Sequence, residues 1–308
     1  MDRKLSSLLL VILICSACAA GPAPQRVSEQ TRNSIYYLNQ GTELFARGCY
    51  LRAMDYFLDA HQLFSAADDR AGVIQALNSI GDTYFRLDDM ESALRVYGDA
   101  IDLSQADTHH PGLARALSNQ AAALMNLNRG REARLALDRA ADLKKTNGEQ
   151  ALYLKTLALG CIHEGQHDRA RDYLEAALEA SGSGGEDILS SIYFAMGHLF
   201  MQNNQPDQAR SRFDQALALD RAKHVPHDIA RDLEAIGMTY AAVDQHLRAI
   251  DFFKRSAKIY ALLKDTRRAQ TVVSHLEKSA RLADADVETS LFWIHTWLSD
   301  KTGSAICD

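Results

Sequence analysis

His163-Glu164-Gly165-Gln166-His167 carries two imidazoles and a carboxylate at the spacing by which one helix can hold a zinc ion and present a general base. That chemistry needs both histidines on the same helix, one turn apart. Gly165 breaks the helix between them, and similar turn-forming strings recur along the chain, at Arg47-Gly48-Cys49-Tyr50 and Asn203-Asn204-Gln205-Pro206. The string therefore reads as a turn, and no metal, cofactor or catalytic residue is assigned to it. His109-His110, and His224 with His227, read as solvated loop histidines. Ser181-Gly182-Ser183-Gly184-Gly185 is glycine-rich but lacks the Lys-Ser/Thr of a phosphate-binding loop, so it reads as a flexible connection. Every other nucleophile or base is accounted for by a repeat, and an enzyme is not expected.

The repeat is set by small residues. Ala53, Ala93, Ala133, Ala170, Ala209 and Ala249 follow one another at intervals of 40, 40, 37, 39 and 40 residues. Four residues after each stands a large apolar side chain: Phe57, Tyr97, Leu137, Leu174, Phe213 and Phe253. Seven residues after each stands a second small one: Ala60, Ala100, Ala140, Ala177, Ala216 and Ser256. Spacings of four and seven share one helix face. Upstream of each alanine a first helix is expected, clearest at Leu77, Ile80, Gly81 and Tyr84, with Leu87-Asp88-Asp89-Met90 as the turn. A single helical hairpin cannot bury such a stripe, so the units must stack. The close contacts are expected at Gly81/Ala93 and Gly237/Ala249.

At these residues the chain resembles the tetratricopeptide repeat family, whose pattern runs Leu-Gly, Tyr, then Ala, Phe, Ala across a helical hairpin. Gly41, Gly81, Gly197 and Gly237 fit the family glycine, while Ala121 and Ala158 replace it in repeats three and four. Tyr84 and Tyr240 fit the family tyrosine. The resemblance covers residues 34–260 in six repeats, with the period near 40 rather than 34 because extra residues fall between hairpins. It implies an all-α, right-handed superhelical solenoid of six to seven antiparallel hairpins. A degenerate seventh hairpin is expected over 261–299, with Val287, Leu291, Ile294 and Leu298 on one face of its last helix and Trp293 at the family phenylalanine position. Residues 300–308 read as a tail.

The chain begins as an export signal would. Arg3 and Lys4 precede an apolar run from Leu8 to Ile14, too short to span a bilayer. Ser16-Ala17-Cys18 resembles a bacterial lipobox, with Cys15 where leucine is usual. The expected division is a signal peptide over 1–17, lipidation of Cys18, and a polar tether over 18–33. Acyl chains on Cys18 would hold the protein on a membrane of the bacterial envelope, with Ala19 permitting transfer to an outer membrane if the organism sorts in that way. Of the other cysteines, Cys161 falls at a core position, Cys49 in a turn and Cys307 in the tail. Three free thiols is the first reading; a Cys307–Cys49 bond, or a bond between two chains, is the alternative.

A net charge of −6 with 24% charged residues argues against a nucleic-acid partner, which would require a basic face. The family resemblance instead places a partner protein in the concave groove lined by the first helices. Carried over position by position, that groove contains Asn78, Asp82, Phe85, Arg86, Arg115, Asn119, Asn126, Lys155, Phe194, His198, Met201, Arg231 and Glu234. Such a mixed surface suits an extended peptide or a partner helix. Lys155 and Arg115 do not reproduce the chaperone-binding clamp of some family members. The expected function is a membrane-tethered protein-binding scaffold or assembly factor; the alternatives are an accessory to a glycan or cell-wall system and a cytoplasmic peptide-sensing regulator.

Overall fold

The computed structural model describes residues 29–104, 112–143, 145–182, 188–300 and 307. The signal segment, Cys18, the loop histidines 109 and 110, and Ser183-Gly184-Gly185 lie outside the described residues. Fourteen helices, and no strand, occur among those described. They alternate as first and second helices of hairpins: α1 (Glu29–Ala46) and α2 (Tyr50–Ala66), α3 (Arg70–Arg86) and α4 (Met90–Ser104), α5 (Leu113–Asn126) and α6 (Gly130–Ala141), α7 (Asn147–His163) and α8 (His167–Ser181). The series continues with α9 (Leu189–Gln202) and α10 (Pro206–Ala222), α11 (Pro226–Ala241) and α12 (His246–Leu262), and α13 (Thr266–Ala283) and α14 (Glu288–Ser299). Helix α1 begins inside the stretch read from the sequence as a tether.

One turn chemistry ends the first helix of each of the first six hairpins. A residue with positive φ follows the helix: Gly48, Asp88, Asn128, Gly165, Asn204 and Asp244. The next N–H then reaches back five residues, from Cys49 to the Leu44 carbonyl, Asp89 to Tyr84, Arg129 to Leu124, Gln166 to Cys161, Gln205 to Phe200 and Gln245 to Tyr240. Glycine, asparagine and aspartate tolerate this left-handed position best, which is why they recur there. The zinc-like string is bent across this turn. His163 ends α7 and His167 opens α8. His163 Nε2 lies 3.2 Å from Asn128 Oδ1, and Glu164 pairs with Arg134. Among the described residues no three His, Cys, Asp or Glu side chains could share a metal ion.

Packing within a hairpin joins residues sixteen apart. A Cβ added to Gly41, Gly81, Gly197 or Gly237 would come within 2.6, 2.4, 2.4 or 2.6 Å of Phe57, Tyr97, Phe213 or Phe253. Ala93 and Ala249, expected opposite Gly81 and Gly237, are wholly buried. The glycine makes room for the ring four residues beyond the alanine. Where that ring is replaced by Leu137 or Leu174, the glycine is replaced by Ala121 or Ala158, so the volume at the seam is conserved along the chain. Ala133 is wholly buried in the same seam. Ala133→Leu is expected to cost about 1–3 kcal/mol by overpacking. An unchanged urea midpoint in that variant would contradict this register.

The last hairpin departs from the others. Ile294 is the buried anchor of α14, with Val287, Leu291, Trp297 and Leu298 against the same core. Trp293, expected at the family's core phenylalanine position, is 46% exposed beside Phe292. Lys264 Nζ donates to the carbonyls of Trp297 and Asp300, tying the end of α14 to the turn before α13.

The solenoid curves until it touches itself. Arg86, at the end of α3, donates to Asp228 in the first turn of α11 at 2.7 Å, across 142 residues. Arg267 in α13 pairs with Asp88 at 3.1 Å. The Tyr50 ring meets the buried His227 ring edge-on at 5.2 Å. Cys49 and Cys307 form a disulfide, with their Cα atoms 5.4 Å apart. This overturns the reading of three free thiols; Cys161 remains a buried thiol. The first two hairpins are therefore clasped to the sixth and seventh, and the concave face becomes the inner side of a closed turn.

Candidate functional site

Of the thirteen residues assigned to the groove, Asp82, Arg115 and Asn119 meet on one side of the inner face and Phe194, His198 and Arg231 on the other, with Lys155 near both. Asp82 organises one side. Its Oδ1 accepts from Tyr97 Oη and Asn119 Nδ2, both at 2.7 Å, and its Oδ2 accepts from Arg115 Nη2 at 2.7 Å. Burial raises the Tyr97 hydroxyl well above its ordinary pKa, with the Asp82 carboxylate adding to the shift. Tyr97 therefore stays a donor. The second helix of hairpin two thus orients groove residues from hairpins two and three.

Arg231 organises the opposite side. Its guanidinium lies 4.0 Å from the centre of the Phe194 ring, a cation–π contact. His198 packs on Phe194 at 4.7 Å and on Phe213 at 5.6 Å. Arg231 also pairs with three aspartates: Asp228 at 3.1 Å, Asp232 at 3.2 Å and Asp220 at 3.4 Å. Burial pushes the Asp228 carboxyl up, but Arg231 and Arg86 outweigh it and hold it well below the usual range. Asp232 is wholly buried, and burial pushes it up to about 8 against the pull of Arg231. Asp220, buried beside it, is also raised by burial.

Lys155, from α7, lies between these groups. Burial pushes its ammonium down to about 8, and the nearby guanidiniums of Arg231 and Arg86 add to the shift. Its hydrogen-bond acceptor is Ser191 Oγ, at 3.5 Å.

Two other residues assigned to the groove spend their amides on backbone carbonyls. Asn78 is 3% exposed and donates to the carbonyls of Ile74 and Gly112, so it locks α3 to the start of α5. Asn126 is exposed, but its amide turns back to the Ala122 carbonyl of its own helix. Phe194 is also more than a groove residue, since it packs on Phe213 in the seam at 5.3 Å.

The sequence reading missed Asp220, Asp228, Asp232 and the clasp through Tyr50 and His227. One signal was available. Asp232 occupies the repeat position filled by the buried Ala76, Ala116 and Ile192, where a carboxylate is out of place unless it has a partner.

The family profile described as tetratricopeptide repeat matches residues 32–106, 148–222 and 187–262, more than half of the chain. The chain belongs to the tetratricopeptide repeat family. Its fold is similar to that of Rap protein complexed with competence and sporulation factor, with a TM-score of 0.56, 13% identity, and 92% of this chain and 89% of that one covered. It is similar to a thermophilic tetratricopeptide protein of Thermus thermophilus, with a TM-score of 0.51, 20% identity, and 68% and 98% covered. It is also similar to the APC/C hetero-tetramer Cut9-Hcn1, with a TM-score of 0.51, 15% identity, and 89% and 57% covered. Among curated proteins none matches. Tetratricopeptide arrays are protein-interaction scaffolds, and this one presents its polar and aromatic groove inside a closed turn.

Proposed function

We propose that this tetratricopeptide scaffold holds an extended segment or helix of a partner protein in its lumen, while a lipid on Cys18 tethers it to a membrane of the bacterial envelope. The observation that carries the binding reading is the convergence of Asp82, Asn119, Lys155, Phe194, His198 and Arg231 from five hairpins on one channel. Hydrogen-bonding groups supply register and the aromatic wall supplies contact area, the combination that recognises a chain segment. Rap protein, complexed with competence and sporulation factor, shows that a solenoid of this general fold takes a binding partner. No described helix is long and apolar enough to cross a membrane. The tether rests on the Ser16-Ala17-Cys18 string alone.

Crosslinking in intact cells tests the lumen. A photo-reactive residue at Asn119 is expected to trap a partner, whereas one at Asp99, exposed on the convex α4, is not. Asn119→Ala with Lys155→Glu is expected to lose at least nine-tenths of capture and keep its helicity. The new carboxylate would sit between Arg86 and Arg231 and fill the channel. Phe194 is left unchanged because it supports the seam. Capture through Asp99 but not Asn119 would move the site to the outer face.

Anchorage is tested separately. Mass spectrometry of the mature chain is expected to find an acylated Cys18, and Cys18→Ser to shift the protein from the membrane to the soluble fraction or block processing. A soluble mature form beginning at another residue would refute the tether and leave the lumen reading intact.

A further inference from the structure

The outward face of α14 has an unusual composition for a surface in water. Val287, Leu291, Ile294 and Leu298 turn inward against the core. The opposite side of the same helix carries Thr289, Phe292, Trp293 and Thr296, all exposed. Phe292 is 62% exposed, and its ring lies 5.3 Å from that of Trp293. The Trp293 ring in turn lies 6.1 Å from that of the half-buried Trp297. From Thr289 to Ser299 there is no Asp, Glu, Lys or Arg. Exposed positions of other second helices hold charges, at Asp59 in α2, Asp99 in α4, Asp214 in α10 and Asp251 in α12. A helix that is apolar on both sides calls for cover on the second side as well as the first.

Closure of the turn brings this helix to the hairpin that leads back to Cys18. Lys264 Nζ donates to the carbonyls of Trp297 and Asp300 at 2.6 and 2.8 Å. The preceding Leu263 lies beside Gly48, where an added Cβ would meet its side chain at 3.5 Å, and Cys49 is bonded to Cys307. The C-terminal end of α14 therefore sits next to the turn of hairpin one. Helix α1 runs back from that turn over about 27 Å. Cys18 precedes its first residue, Glu29, by eleven residues. A stretch of that length can span at most about 38 Å. A lipid on Cys18 is thus within reach of a bilayer against which α14 lies. A second copy of the chain is the poorer occupant. Phe292 and Trp293 together expose roughly 200–300 Å², whereas a stable dimer buries about 800 Å² on each partner.

We propose that the outward face of α14 is a membrane-contact surface, where Phe292, Trp293 and Trp297 enter the headgroup region of the bilayer that holds the tether. This rests on the tether reading above and adds the side of the protein that lies on the membrane. Indole and phenyl rings favour the boundary between water and hydrocarbon. Glu288 and Asp300 bound the uncharged run, and the chain as a whole carries a charge of −6, so the matching surface is zwitterionic and not anionic. The tether keeps the local concentration of bilayer high, so a contact of three rings is enough to set the orientation.

Trp293 and Trp297 are the two tryptophans of the chain, so its tryptophan emission reports on α14 alone. The mature chain from Ala19, behind a hexahistidine tag, is held on phosphatidylcholine vesicles by a nickel-chelating lipid. This supplies the tether whether or not Cys18 is acylated in cells. The emission is expected to move to the blue, and to fall about twofold when the lipids carry brominated acyl chains, which quench only indoles that enter the bilayer. Phe292→Glu with Thr296→Glu changes two exposed positions and leaves both indoles and Ile294 in place. It is expected to keep the helicity and lose both effects. No quenching in the wild type, or equal quenching in the variant, overturns the proposal. So does quenching that appears only on phosphatidylglycerol vesicles. A wild type that pairs in sedimentation equilibrium through the same two positions, with emission unchanged by vesicles, also overturns it and makes a second copy the cover of α14. The tether is judged apart from this. Quenching on the tagged vesicles with an unacylated Cys18 in cells keeps the membrane face and removes the lipid anchor. An acylated Cys18 without quenching keeps the anchor and removes the face.

Discussion

Arg231→Met is expected to lower the stability of the chain by about 3–5 kcal/mol at pH 8, read as a fall in the urea midpoint. Arg231 pairs with Asp220 and Asp232, and shares Asp228 with Arg86. Methionine keeps the apolar contact with Phe194 but leaves the carboxylates facing one another in a buried place. They can escape only by taking up protons. The folded variant therefore binds more protons than the unfolded chain at neutral pH, and the deficit must grow as pH rises and shrink towards pH 4, where unfolded aspartates also protonate.

A weaker form of this behaviour is expected of the wild-type protein. The folded pKa of Asp232 lies near 8, above its unfolded value, so its contribution to stability falls as pH rises from about 4 to 8. Asp232→Asn is expected to flatten that part of the profile, and Arg231→Lys to restore part of what Arg231→Met loses. A variant that unfolds at the wild-type urea concentration at pH 8 would show that the cluster has no structural role.

Breaking the Cys49–Cys307 bond is expected to have the next largest effect, about 2–4 kcal/mol. The bond closes a loop of 258 residues and secures the C-terminal end against the first hairpin. Among the described residues that hairpin stacks on hairpin two and is closed against the sixth by Tyr50 on His227, with Arg86 of hairpin two paired to Asp228 beside it. Cys307→Ser should therefore accelerate amide exchange chiefly in α1 and α2 and leave α9 and α10 near wild type. Peptide mapping without reductant should recover the two cysteines in one crosslinked fragment. Recovery of both as free thiols, or exchange that rises uniformly, would refute the latch.

The hairpins were legible because their determinants are local. A small residue with partners at four and seven defines a helix face, and a glycine or alanine sixteen residues before the ring or leucine defines the seam. A Gly, Asn or Asp at the left-handed position defines the turn. Each signal is confined to one repeat and confirmed by the next, which is why the zinc-like string could be recognised as a turn before its geometry was known. In the last described hairpin Ile294 takes the buried position and Trp293 turns outward beside Phe292.

The lumen was legible only in its parts. Family positions picked out Asp82, Asn119, Lys155, Phe194, His198 and Arg231, all on first helices, but nothing in their spacing joins them. The Arg86–Asp228 pair spans 142 residues, and the disulfide spans 258. Whether such residues meet depends on the small rotation between successive hairpins, summed over six stacked units. A slight change per unit would separate them and leave every local pattern intact. The amino-acid sequence by itself therefore determined the repeat, the turns and the residues on the inner face. Only the tertiary structure decided that the array closes on itself and that Asp228 and Arg231 become its electrostatic centre.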